Sequence, residues 1–325
     1  MVAWTIADIP DLTDRVVVVT GANSGIGLET TIGLASAGAT VIMACRSEQR
    51  GEAARSELSA PVRDRTEVMA LDLTSGPSIE HFATLVAARH PHLDLLVNNA
   101  GVMAPSPEPT AALADTGDHD RLAIFDRQWA TNHLGPFALT GRLLPLLIER
   151  PSRIVTVSSL AAGYGDPNRM IRSDGTLPSR GRFGRGPAGR FAIYGDTKWA
   201  NQVFALELNH RLAAIDSMAI SLIAHPGVAH TNLATGIRLP GPATRALLAL
   251  SHRFTQPAAD GALPVLRAAT DPAAEGGQYY GPEGRRGHRG APKQIPVVAG
   301  TANRTHGREL WERSMALTGV RFLTA

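Results

Sequence analysis

The sequence predicts an α/β protein built on one doubly wound parallel sheet. Three observations carry that expectation. Short β-branched runs alternate with longer segments whose apolar residues recur at helical spacing. The short runs are apolar nearly throughout, as strands covered on both faces must be. A glycine-rich turn separates the first such run from the first helical segment.

The elements follow in order. "DRVVVVTGANSGIGLETTIGLASAGATVIMACR" reads as strand, glycine turn, helix and second strand, a βαβ unit. "TEVMALDL" reads as a strand, "SIEHFATLVAAR" as a helix and "LDLLVNNAG" as a strand. "FDRQWATNHLGPFALTGRLLPLLIER" reads as one long helix, "SRIVTVSS" as a strand, and Tyr194 to about Leu212 as a helix. "MAISLIAHPG" is a strand and "GGQYYG" a further short one. Strand–helix alternation of this kind implies right-handed crossovers within one sheet. With no internal repeat and no linker between two cores, a single domain over residues 1–325 is expected, its core at about 12–282.

Three irregular stretches interrupt the alternation. "APSPEPTAALADTGDHDR" at 104–121 is a Pro/Asp-rich loop. An insertion at 162–193 is rich in Gly, Pro and Arg, and a connection that long inside a compact domain is commonly functional. It carries Arg169, Arg172, Arg180, Arg182, Arg185 and Arg190 against Asp166 and Asp174, and reads either as a solvated loop or as a lid over an apolar substrate. A basic C-terminal extension at 283–325 begins irregularly and ends in a short helix around "GRELWERSMALTG".

Composition narrows the function classes. The chain has 325 residues, 44% of them hydrophobic, and a formal charge of +3, which suits an anionic small molecule and is too weak for a nucleic-acid binder. The arginines cluster in glycine loops without interleaved aromatics. One cysteine, Cys45, excludes an internal disulfide and a cysteine zinc cluster, and a reducing cytoplasm fits. It reads as a small buried hydrophobe. The N-terminus lacks a signal core, and "VVVV" at 16–19 is too short to span a bilayer, so no stable membrane insertion is expected. His225 and His230 lie five apart without further ligands, so no metal is expected. His90 and His92 read as solvated.

The glycine turn is the first chemical signal. Gly21, Gly25 and Gly27 open a helix directly after a strand, which lets backbone N–H groups and the helix N-terminus meet a pyrophosphate. The second strand then ends "VIMACRS". An acid at this point would favour NAD, whereas Arg46 stands there, with no acid before Glu48, and accommodates a 2′-phosphate. The expected cofactor is NADP(H).

At this point the sequence resembles the short-chain dehydrogenase/reductase superfamily, and its retinol-dehydrogenase-like branch most. "TGANSGIG" at 20–27 resembles the cofactor turn of that Rossmann fold, which includes Asn23, Ser24 and Ile26. "NNAG" at 98–101, Asn132 in "TNHLGPF", Ser159 in "VTVSSLAA", Tyr194 and Lys198 in Y-x3-K, and "HPGVAHTNL" at 225–233 follow in the family's order. The family often places serine where this chain has Thr197, and histidine where it has Pro136. The resemblance implies a catalytic set of Asn132, Ser159, Tyr194 and Lys198. It implies Asp72 and Leu73 at the adenine, Asn99, Ala100 and Gly101 along the cofactor groove, Pro226 and Gly227 over the nicotinamide, and Thr231 at the pyrophosphate or carboxamide.

The chemistry of the pair at 194 and 198 stands beside that resemblance. Residues four apart share one face of a helix. A free phenol titrates near pH 10, too high for a neutral-pH base. An adjacent ammonium and a cationic nicotinamide would lower that pKa, so Tyr194 is expected as general acid/base and Lys198 as its partner on the ribose. Ser159 would donate to the substrate oxygen, and Asn132 would hold a water that relays protons.

The function these readings support is an NADP(H)-dependent oxidoreductase on the carbonyl or alcohol of an apolar small molecule, with homo-oligomerisation open. Two alternatives are a double-bond reductase of the protochlorophyllide type, which usually carries active-site cysteines, and a non-catalytic NADP sensor, which typically lacks the tyrosine.

Overall fold

The computed structural model describes residues 3–103, 122, 126–170, 187–228 and 256–324. The loop at 104–121, Thr231, His230 and the insertion arginines 172, 180, 182 and 185 lie outside the described residues.

Eight strands form one sheet in the order β3-β2-β1-β4-β5-β6-β7-β8. They are β1 (Val16–Thr20), β2 (Thr40–Cys45), β3 (Thr66–Ala70), β4 (Leu95–Asn98), β5 (Arg153–Val157), β6 (Ile220–Ala224), β7 (Tyr279–Pro282) and β8 (Pro292–Ile295). All neighbours pair in parallel except β7 and β8, which pair antiparallel. The pleat sends alternate residues to opposite faces. Val18, Ile42, Leu96 and Ile154 face one buried cluster; Val17, Val19, Met43, Val97 and Val155 face the other. Both faces are thus dry, which is why these strands carry so few polar residues.

The first cluster lies under α4 (Gly76–Arg89), α6 (Gly135–Leu143), α8 (Pro187–Ala214) and α10 (Arg304–Thr318). The second lies under α1 (Gly25–Ser36) and α9 (Ala258–Thr270). A side chain at Gly33 would sit 2.8 Å from Leu266, so α1 and α9 pack at close range. Two short helices, α2 (Glu48–Ser56) and α3 (Ala60–Arg63), join β2 to β3, and a one-turn helix, α7 (Pro167–Met170), precedes α8 in the chain.

Four expectations change. The long helix at 125–150 is segmented. It runs as α5 (Arg127–Trp129), a π turn over Ala130–Leu134, α6, and a 3₁₀ turn over Leu144–Leu146. Pro136 has no N–H to donate, and its ring crowds the carbonyl four residues back, at Asn132 within the π turn. Helix α8, which carries Tyr194 and Lys198, begins at Pro187 rather than Tyr194, so the last residues of the expected insertion are helical. Proline suits a first helical turn, where its missing N–H would be unpaired anyway.

The C-terminal extension is not an irregular appendage. It contributes β8 to the sheet and α10 to the core, where Trp311 packs on Phe204 at 5.9 Å and on Phe322 at 4.7 Å between ring centroids. Arg211 lies over Trp311, and buried Glu207 pairs with Arg211 at 2.8 Å and Arg304 at 3.3 Å. The apolar side of α8 is therefore covered from within the chain. Finally, His90 is not simply solvated: its Nε2 meets Glu67 Oε1 at 2.9 Å.

A parallel sheet whose order turns from β1-β2-β3 to β4-β5-β6 has a crevice where β1 and β4 end side by side. Gly21 follows β1 and Asn99–Gly101 follows β4, so the topology brings both motifs to that crevice.

Candidate active site

The glycine turn closes tightly on the end of β4. Gly21 has φ +66, a left-handed conformation that glycine adopts without cost. A Cβ on Gly27 would overlap the Gly21 carbonyl and the Asn99 amide. The reason for this crowding is a set of bonds across about 80 residues of sequence. Thr20 Oγ1 accepts from Asn99 N at 3.0 Å and Ala100 N at 2.9 Å, and Asn99 Nδ2 donates to Thr20 O at 2.7 Å. The amides of Gly25, Ile26 and Gly27 open α1 and take no acceptor among the described residues. Orphan donors at a helix N-terminus suit a phosphate. The site fits a dinucleotide on that ground.

Cys45 lies directly beneath this turn. Its sulfur accepts from the backbone of Ala22 and Asn23, and burial pushes the thiol up to about 11. It is a fixed, unreactive support. Arg46, next along, is exposed, and its guanidinium has no hydrogen bond or ion pair among the described residues. Asp72 Oδ1 accepts from Thr74 N at 2.9 Å and Thr74 Oγ1 at 2.7 Å, which fixes the turn after β3. Leu73 is buried there.

Tyr194 and Lys198 lie on one face of α8, with Lys198 Nζ 5.8 Å from the Tyr194 ring centroid. Both are buried, at 6% and 3% exposure. Burial pushes the phenol up to about 12, while the Ser159 hydroxyl facing it pulls the other way. Burial pushes Lys198 down to about 8. The expectation of a lowered phenol pKa is thus not met by protein groups alone, because desolvation exceeds the help from Ser159. Lys198 Nζ donates to Val157 O at 2.9 Å, so the ammonium is tethered to the end of β5. A Cβ on Gly101 would come within 3.4 Å of that nitrogen, which places the β4 motif against the lysine.

Asn132 sits fully buried in the π turn. Its Oδ1 accepts from Val102 N at 2.8 Å, and its Nδ2 donates to Val102 O at 3.0 Å and to Thr197 Oγ1 at 3.0 Å. Thr197 in turn donates to Tyr194 O at 2.8 Å. Both amide hydrogens are therefore taken by protein, and one lone pair of Oδ1 is left for a water. Asn132 joins the segment after β4 to α8.

Several supporting residues gave no local sequence signal. Ser158 Oγ donates to Lys198 O at 2.8 Å and accepts from Gln202 Nε2 at 3.1 Å. Gln202 Oε1 accepts from Val298 N at 3.0 Å, so the C-terminal segment reaches the back of the site. Asp196, buried between Tyr194 and Lys198 in sequence, receives Arg169 Nε at 2.9 Å and Arg169 Nη2 at 2.8 Å. Its carboxyl is raised by burial and lowered by that guanidinium. The first part of the 162–193 insertion is anchored to α8 by this pair. Pro226 and Gly227 follow β6 at the same sheet edge, with Pro226 O accepting from Gln256 Nε2 at 2.8 Å.

Among the described residues no helix is long and apolar enough to cross a membrane.

The likenesses of the chain agree with this geometry. The sequence model of the family described as short chain dehydrogenase matches residues 15–171. Human "Dehydrogenase/reductase SDR family member 13" is 38% identical over 227 residues, 69% of this chain and 54% of that protein, so the chain spans about half the length of that relative. Mouse "Retinol dehydrogenase 14" is 32% identical over 320 residues, 94% of this chain and 86% of that one. The crystal structure of an uncharacterized protein from Mycobacterium paratuberculosis is 36% identical, covers 99% of each chain and superposes with a TM-score of 0.73. The chain belongs to the short-chain dehydrogenase/reductase family, on its retinol-dehydrogenase-like branch.

Proposed function

We propose that this chain is an NADP(H)-dependent oxidoreductase that interconverts a carbonyl and an alcohol on a largely apolar small molecule, in the cytoplasm, with Tyr194 as general acid/base. The observation that carries the reading is the convergence of Tyr194, Ser159 and Lys198 at the ends of β4 and β5, beside the glycine turn.

When bound, the nicotinamide supplies a hydride to the carbonyl carbon or takes one from the alcohol. In reduction, Tyr194 Oη–H gives its proton to the carbonyl oxygen as that oxygen gains charge. In oxidation the phenolate takes it back. Ser159 donates to the same oxygen and stabilises it. Lys198, held by Val157 O, keeps a cation behind the phenol. Asn132 keeps Gly101–Val102 and Thr197 in register, with one lone pair left to order a water. Gly25–Gly27 and the α1 N-terminus would hold the pyrophosphate, Arg46 the 2′-phosphate, Asp72–Leu73 the adenine side, and Asn99–Gly101, Pro226 and Gly227 the nicotinamide side.

Addition of hydride and proton across a carbon–carbon double bond, as in a reductase of the protochlorophyllide type, gains nothing from the geometry. The single cysteine lies under the glycine turn and not at Tyr194. The test is NADPH consumption with a panel of aldehydes and ketones: turnover that needs Tyr194 supports the reading, and NADPH binding without turnover on any carbonyl favours a sensor.

A further inference from the structure

Two unlike surfaces flank the candidate site. One is aromatic. Tyr164 is 70% exposed and Phe191 39%. Their rings lie 6.3 Å apart, and Phe191 lies 6.3 Å from the Tyr194 ring. A ladder of rings thus leads from the candidate catalytic phenol to solvent, and an apolar ligand would relieve its exposure.

The other surface is basic. The loop Gly284–Gly290, "GRRGHRG", joins β7 to β8 and carries Arg285, Arg286, His288 and Arg289 with no acid among them; Glu283 precedes it. It is pinned to the site. Val228 N donates to His288 O at 2.9 Å, Gly290 N donates to Gln256 Oε1 at 3.2 Å, and Gln256 Nε2 holds Pro226 O at 2.8 Å. A Cβ on Gly287 would lie 3.3 Å from Leu160, the neighbour of Ser159. Arg285 and Arg286 are exposed and have no ion pair or hydrogen bond among the described residues. Arg286 is also left-handed, with φ 61 and ψ 17.

A separate observation lies at the base of this loop. His225 is fully buried, and its Nδ1 accepts from Gly227 N at 3.1 Å. The neutral ring therefore carries its hydrogen on Nε2, and that donor has no partner. Buried donors are rarely left unmet. A Cβ on Gly281 would overlap it and one on Gly287 would stand 3.5 Å from it, so the orphan lies between Gly281 of β7 and the foot of the basic loop.

We propose that this flank is an anion subsite and that the substrate is an amphipathic carbonyl compound. Its carboxylate or phosphate rests on Arg285 and Arg286, its carbonyl meets Ser159 and Tyr194, and its apolar remainder lies along Phe191 and Tyr164. The assignment deepens the oxidoreductase reading and rests on it for the position of the carbonyl.

The test compares a mid-chain oxostearate with its methyl ester, in wild type and in the double variant Arg285→Gln/Arg286→Asn. Asparagine tolerates the left-handed backbone, and ester turnover reports an intact site. Losing charge-assisted contacts to an anion should lower kcat/KM for the acid about ten- to a hundredfold and leave the ester unchanged. Equal losses for acid and ester, or a wild type without preference for the acid, overturn the subsite. Calorimetric binding of laurate and of dodecyl phosphate to the NADPH complex needs no turnover. Weaker binding in the double variant supports the subsite even if no carbonyl is reduced, in which case the oxidoreductase reading alone fails. The tighter of the two probes identifies the acid, and equal binding by wild type and variant overturns the proposal.

Discussion

Asn132 and Val102 are joined twice: Val102 N donates to Asn132 Oδ1 at 2.8 Å, and Asn132 Nδ2 donates to Val102 O at 3.0 Å. The same amide reaches Thr197 Oγ1. A single buried side chain therefore fixes the segment after β4 against the helix that carries Tyr194 and Lys198. Asn132→Ala would leave buried donors and acceptors unmet, each worth about 1–3 kcal/mol. We expect the variant to lose about 2–4 kcal/mol in denaturant unfolding, and to lose turnover with a carbonyl substrate while keeping a folded core. An unfolding midpoint equal to wild type would remove the clamp.

Arg169 and Asp196 form a second long-range tie, between the start of the insertion and α8. Asp196 is buried, whereas Arg169 is about a third exposed. Arg169→Met should strand a buried carboxylate and cost about 1–3 kcal/mol, below the cost for a fully buried pair because water reaches the arginine. Adding Asp196→Asn should restore part of that loss. Strictly additive single and double variants in a thermodynamic cycle would show that the pair does not couple.

Arg46 is placed at the end of β2 with its guanidinium unengaged. A charge-assisted bond to phosphate contributes roughly 1.5–3 kcal/mol. Arg46→Ala should weaken NADPH about ten- to a hundredfold and change NADH little. A wild type that binds NADH as tightly as NADPH would refute the cofactor preference.

Lys198 gives a pH signature in the protein without added cofactor. Its folded value is pushed down to about 8 from an ordinary value of 10.5. Between those values the unfolded lysine holds a proton that the folded one has released. The unfolded state then binds more protons, and the lysine's contribution to stability rises with pH across that window. Below about 8 both states are charged and the burial cost of the ammonium is fully felt. Lys198→Met removes this dependence. Groups such as Cys45 and Tyr194, whose values are raised, act in the opposite direction and cancel in the comparison. The stability of wild type relative to Lys198→Met should therefore improve by about 1–2 kcal/mol from pH 8 to 9.5. A constant difference over that range would contradict the assignment.

The sequence signals that carry the proposed chemistry are local: the glycine turn, Arg46, and the spacing of Tyr194 and Lys198 each lie within a few residues. The parallel sheet was legible because two-sided burial makes strands such as "VVVVT" and "RIVTV" apolar. What stayed hidden depends on contacts between distant residues. Thr20 reads as a strand end, yet it fixes Asn99 and Ala100. Asp196 lies inside the quoted Y-x3-K motif, but nothing local tells that Arg169 covers it. Cys45 reads as a hydrophobe, and its role as an acceptor for the glycine turn appears only when β2 is laid beside β1. The basic C-terminal segment looked irregular because β8 is a four-residue edge strand and proline stands at its first position. Helix α9 is hard to read from the sequence because Pro264 stands inside it.

The central claim is that Tyr194 moves the proton. Tyr194→Phe keeps the ring that packs on Phe191 and removes only the hydroxyl that faces Ser159. The decisive measurement is NADPH-dependent reduction of a carbonyl by this variant, with NADPH affinity and thermal unfolding measured in parallel. The account predicts unchanged cofactor binding, a folded protein, and a loss of turnover of about 10²–10⁴-fold, the usual worth of general acid/base catalysis. Turnover near that of wild type, with the same cofactor affinity, would contradict it.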